Sequence, residues 1–132
     1  VAKITIPRLE LKSEANSTDH FRVKAKRHKI QKAIVNAYMR TVQIPPLPLV
    51  ITLTRHAPRP YDDDNILIAF KYVRDAVSEY VLGIADNKIY KPGRADNDQR
   101  IKWEYCQEKT TQEEYLITIE LTSFPTHKQD LA

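Results

Sequence analysis

Residues 59–76 read RPYDDDNILIAFKYVRDA, and the organisation of the chain turns on how that stretch folds. At about 100° per residue, Ile66, Ala69, Phe70, Val73, Val77 and Tyr80 fall on one stripe. The spacing predicts a helix from about Asp63 to Val81, with Gly83 placed to end it. Asp64, Lys71 and Asp75 fall together on the opposite side. The preceding LVITLT, residues 49–54, is continuously apolar and reads as a central strand. A strand entering an amphipathic helix through a proline-bearing loop, RHAPRPY, sets a β-α pattern that the flanking sequence repeats.

Working outward, AKITI (2–6) alternates as a strand and stops at Pro7. A polar loop over 7–18 follows. Thr18 or Asp19 can cap a helix reaching about Arg40, with Phe21, Ile30, Ala33, Ile34, Ala37 and Tyr38 as its apolar positions. QIPPLP breaks that helix. Residues 84–99 carry turn chemistry without periodicity and read as a long loop. RIKWEYCQE and EYLITIEL both alternate, and KTTQE between them reads as the turn of an antiparallel hairpin. The expected class is α+β: a small mixed β-sheet with two main helices on one side, in the order β-α-β-α-β-β. One domain covers 1–122, and 123–132 form a tail.

Composition narrows the functions. The 132 residues suit a single core. No apolar run is long enough to cross a membrane. Cys106 is the sole cysteine, so no internal disulfide forms and the cytoplasm is the expected compartment. Two glycines, Gly83 and Gly93, are too few for a phosphate-cradling or dinucleotide-binding loop. The hydrolase patterns GxSxG and HExxH are absent. Charge is divided: residues 1–59 hold 12 Lys/Arg against 3 Asp/Glu, and residues 60–132 hold 9 against 14. That division suits a polyanion-binding surface with a separate carboxylate site, and equally two solvated faces.

Asp62, Asp63 and Asp64 admit two readings. They can cap and favourably load a helix N-terminus. They can also hold a hard cation, whose charge offsets the repulsion among adjacent carboxylates. In the capping reading, Lys71 and Asp75 are an i,i+4 pair in water. An EF-hand is excluded, because position 6 counted from Asp62 is Leu67 and position 12 is Val73. Mg²⁺ needs only two or three carboxylates when it keeps waters and accepts phosphate oxygens. Arg22, Lys24, Lys26, Arg27, Lys29 and Lys32, interleaved with His20 and His28, offer sequence-independent phosphate contacts. Arg55 and Arg59 are placed to guide a phosphate toward the aspartates. His56 and His127 lack metal-ligand spacing, and Trp103 reads as core.

DDDNILIAFKYVRDAV, a loop, and DNDQRIKWEYCQEK together resemble the RusA-type Holliday junction resolvases of phages and prophages. Asp62, Asp64 and Asn65 match that family's Asp-x-Asp-Asn. Lys71 with Asp75 matches its later pair, and Asp98 its acid before a strand. Asn16 and HFRVKAKRHKIQKA look like its entry loop and basic helix. Ile68 stands where the family commonly has its lysine, and Asn97-Asp98 replaces two acids, with Asp96 and Asp86 as competitors.

The resemblance implies a Mg²⁺-dependent (or Mn²⁺-dependent) endonuclease of DNA recombination and repair, a homodimer cutting both strands of a four-way junction. It implies Asp62, Asp64 and Asp98 as metal ligands and Lys71 as a charge-stabilising residue. The implied DNA contacts are Asn16, Arg22, Lys24, Lys26, Arg27, Lys29 and Arg59. A basic DNA-binding protein that keeps the fold without cleaving, and a single-subunit RNA-processing nuclease, are the alternatives.

Overall fold

A computed structural model describes residues 1–11, 20–91, 93–111 and 114–124. Its elements are β1 (Ala2–Pro7), α1 (Phe21–Met39), β2 (Leu49–Ala57), α2 (Asp63–Ala69), α3 (Lys71–Asp86), β3 (Ile101–Lys109) and β4 (Leu116–Ser123). The α+β class and its mixed sheet stand as expected, with the second helix divided in two. No helix among these residues is long and apolar enough to cross a membrane.

The strand order is β1-β4-β2-β3. β4 runs antiparallel to both β1 and β2, whereas β3 runs parallel to β2. The hairpin expected between β3 and β4 is therefore not formed. β2 occupies the place between them, with Leu53 opposite Tyr105 on one side and Ile119 on the other. Just past β3, Thr110 N donates to Ala57 O at the end of β2, at 3.0 Å. β2 takes this interior position because its apolar side chains need cover on both flanks. β3, with exposed Lys102, Glu104, Cys106 and Glu108, has the charged pattern of an edge.

One face of the sheet is dry. Ile4, Ile6, Leu49, Ile51, Leu53, Ile117, Ile119 and Leu121 are buried in one cluster with Val35 and Met39 of α1 and the α2–α3 stripe. In that stripe Ile66, Ala69, Phe70, Val73 and Val77 are buried, and Tyr80 is packed against the cluster. The helix changes course at Phe70 (φ −86°, ψ −1°). Hydrogen bonds from Phe70 N to Ile66 O and from Arg74 N to Phe70 O carry the chain through the jog. α3 then continues past Gly83 to Asp86 and stops at Asn87, which is left-handed (φ 50°, ψ 47°). Gly83 is instead a point of close approach, since a Cβ there would lie 3.3 Å from Lys88 O.

α1 departs from expectation on both its cap and its buried face. His20 is the N-cap, its Nδ1 accepting from Arg22 N at 3.2 Å. Thr18 and Asp19 lie outside the described residues. The buried positions are Gln31, Val35 and Met39, while Phe21 and Ile30 are exposed. Among the described residues, the buried positions of α1 all lie in its second half, from Gln31 onward. At the other end of the chain, Ser123 belongs to β4 and Phe124 N bonds Pro48 O, so ordered structure extends past the expected boundary at 122.

Candidate functional site

β1, β2 and β3 point the same way, so their carboxyl ends share one edge of the sheet. α1 follows the first and α2 the second. In α/β-type sheets this edge is where ligands bind. The loop leading to Asp62 is firmly built there. Gln107 of β3 holds the main chain of Tyr61 on both sides, accepting from Tyr61 N and donating to Tyr61 O, each at 2.8 Å. Arg55 is buried, its guanidinium 3.7 Å from the Tyr61 ring centroid and donating to Arg59 O at 2.7 Å. The expectation that Arg55 guides phosphate is thereby corrected: it shapes the loop. Arg59 is exposed. Neither Tyr61 nor Gln107 is marked out by the sequence, because their contact depends on the β2–β3 register.

Asp62 is the N-cap of α2 in an extended conformation, and its carbonyl accepts from Ile66 N at 2.9 Å. Its carboxylate makes no capping hydrogen bond. Asp62, Asp63 and Asp64 are all exposed. The backbone of Asp62 thus fills the cap while its side chain stays out of it. Three carboxylates stand in solvent on a rigid support.

Asp98 is not brought beside them. It sits before the amino end of β3, and the parallel register of β2 and β3 puts that end opposite the edge bearing Asp62. From Ile101 to Gln107 alone is about 20 Å of strand. Arg100 holds Asp98 there through its main-chain N and its guanidinium, with three contacts of 2.9 Å. The same guanidinium grips Asp86 at 2.9 and 2.7 Å. These bonds hold both carboxyls below their usual range and raise Arg100. Asp96, the other competitor, contacts Arg74 Nε at 3.1 Å, and its carbonyl accepts from Trp103 Nε1 at 3.0 Å. Trp103, expected in the core, is instead half-buried at its margin on the edge strand β3, where its indole pins this loop. Among the described residues, no three His, Cys, Asp or Glu side chains are arranged to hold a metal. Asp62 and Asp64 are two hard oxygen donors open to solvent, a set that fits Mg²⁺ when it retains waters and takes phosphate oxygens.

Lys71 is exposed at the start of α3, its Nζ 5.5 Å from the Tyr72 ring centroid. Asp75 does not join it in water: it is 5 % exposed, and no hydrogen bond or ion pair engages its carboxylate among the described residues. α1 and the loop around Asp96 cover that side of α3. Burial first, and then the charge of Asp96, push the Asp75 pKa up.

α1 lies along α3 in the same direction. His28 stacks on Tyr72 at 3.5 Å, and Lys32 Nζ meets Glu79 at 3.1 Å. The start of α1 therefore lies at the same end of the helical layer as Asp62–Asp64. α1 carries no acidic residue. Arg22, Lys26 and Lys29 are exposed, Lys24 and Arg27 are half-buried, and Lys32 is engaged by Glu79. Asn16 lies outside the described residues. Compared with protein-family models, with curated proteins and with solved structures, the chain finds no match.

Proposed function

We propose that the chain is a Mg²⁺- or Mn²⁺-dependent endonuclease acting on branched DNA, in keeping with its resemblance to RusA-type resolvases. One observation carries this reading: Asp62 and Asp64 are exposed, the Asp62 carboxylate is not spent on capping, and the acid-free end of α1 lies at the same end of the molecule. Asp62 and Asp64 would hold the cation. When bound, such a cation supplies Lewis acidity toward a phosphodiester and acidifies water for in-line attack. Arg22, Lys26, Lys29 and Arg59 hold flanking phosphates, and the Tyr61–Gln107 clamp fixes the position of the carboxylates. Lys71, exposed at the start of α3 just past the jog at Phe70, meets a neighbouring phosphate. Paired cuts on a two-fold junction call for two identical sites, so a homodimer belongs to the same reading. So does a cytoplasmic setting, given one cysteine.

A second reading, a non-cleaving DNA-binding protein, is favoured by one feature. Asp98 is held by Arg100 at the opposite end of β3 and so does not join Asp62 and Asp64 as the resemblance implies. The test is purified protein with labelled four-way junctions, linear duplexes and single strands, with and without Mg²⁺. Metal-dependent nicking of the junction supports the nuclease. Salt-sensitive binding of the junction without nicking under Mg²⁺ or Mn²⁺ supports the second reading.

A further inference from the structure

We propose that Phe21 is a base-stacking residue, receiving an unstacked nucleobase of branched DNA at the amino end of α1. The inference rests on the nuclease reading above and adds a contact to bases, where that reading has only contacts to phosphates. No residue from 21 to 30 is buried, and Gln31 is the first buried position of α1. At the first position of α1 Phe21 is 69 % exposed, so most of its ring is open to a partner. It stands between two groups that favour π-surfaces. The His20 ring is tilted by 35° at 4.4 Å, and the Arg22 guanidinium is 5.9 Å from the Phe21 centroid.

Charge selects the partner. With Arg22, Lys26 and Lys29 exposed and no acid on the helix, the occupant is polyanionic. Geometry then selects DNA over an anionic bilayer. A helix lying in a membrane needs its apolar residues on one side. Phe21 is instead about 200° around the axis from Val23 and about 180° from Ile30. The latter two line a groove with Leu9 and Ile34. A single ring projecting at a cationic helix end fits one base between phosphates. Intact duplex offers no base face, whereas a branch point does. His28, stacked on Tyr72, is seven residues from Phe21 and places it about 10 Å further along the axis, toward the end that bears Asp62–Asp64.

The test uses a four-way junction with 2-aminopurine at the branch point and a linear duplex carrying the same base, at low salt without divalent metal. Wild-type protein should change the junction's fluorescence. Phe21→Ala should abolish that change and weaken junction binding about 5- to 100-fold, with less than about twofold effect on duplex. Phe21→Trp should restore binding, with its added emission quenched by the junction and not by the duplex. An equal effect of Phe21→Ala on both DNAs, or none on either, overturns the stacking role and leaves the nuclease reading intact. Loss of binding to anionic vesicles with DNA binding unchanged overturns it in favour of a membrane contact. Wild-type protein that binds none of these DNAs overturns the nuclease reading itself.

Discussion

The Tyr61 hydroxyl donates to the carbonyl of Leu11 at 2.7 Å, joining the segment after β1 to the loop that presents the three aspartates. Tyr61→Phe keeps the ring beneath Arg55 and removes only this bond. The substitution should lower stability by about 1 kcal/mol. Urea unfolding checks it: the midpoint should fall while the slope stays the same.

Asp75 is a buried carboxyl facing Asp96 and Glu79, with Lys32 and Lys71 opposing them. Its folded-state pKa is raised above 3.8, so the protonated form is the one the fold prefers. Stability from this group is complete at low pH and is lost as pH rises through the raised value. Asp75→Asn keeps the shape and removes the charge. The variant should melt a few degrees above wild type at pH 7, with the difference closing as pH falls below the usual carboxylate range. Thermal melts across that range check the sign.

Arg100 behaves oppositely. The carboxyls of Asp86 and Asp98 are held below 3.8 by its guanidinium. Their contribution is present above the usual carboxylate range and lost as pH falls through the depressed values. Arg100→Gln should therefore lower the melting temperature at neutral pH and flatten the wild-type decline below about pH 4. Melting curves from neutral pH down to strongly acid conditions provide the measurement.

Replacing Arg22, Lys26 and Lys29 with glutamine should weaken binding of all DNA sequences alike. The log–log dependence of affinity on salt should become shallower by about 0.9 for each phosphate that the helix no longer neutralises. Titrations at several salt concentrations check this. An unchanged slope would remove α1 from the interface.

Much of this architecture is legible in the sequence where burial is local. The alternation of β1 and the stripe from Ile66 to Val77 specify strand and helix, because one covered face fixes their periods. The pairing of β3 with β2 is not legible. Two alternating segments joined by a short polar loop look the same whether they pair directly or admit a third strand between them. That choice depends on which strand has most apolar surface to cover, a property of the whole sheet. The exposure of Phe21 is hidden for a related reason, since periodicity cannot tell which half of a helix overlies the core. Asp62 and Asp64 are legible as candidate ligands. The separation of Asp98 is not, although Arg100, two residues on, signals that this carboxylate has a nearer partner. Asp75 is misplaced by local spacing because its cover comes from α1 and from the loop at Asp96, both distant in the chain.

The most direct test of the central proposal is the cleavage of a labelled four-way junction by wild-type protein and by Asp64→Asn, with Mg²⁺ or Mn²⁺. Asparagine preserves size and stands at an exposed position, so melting temperature and junction affinity should change little. The proposal predicts metal-dependent cleavage by the wild type and a loss of about 100-fold or more in the variant. Cleavage that survives the substitution at the wild-type rate, or wild-type protein that binds the junction and cuts it with neither metal, would contradict it.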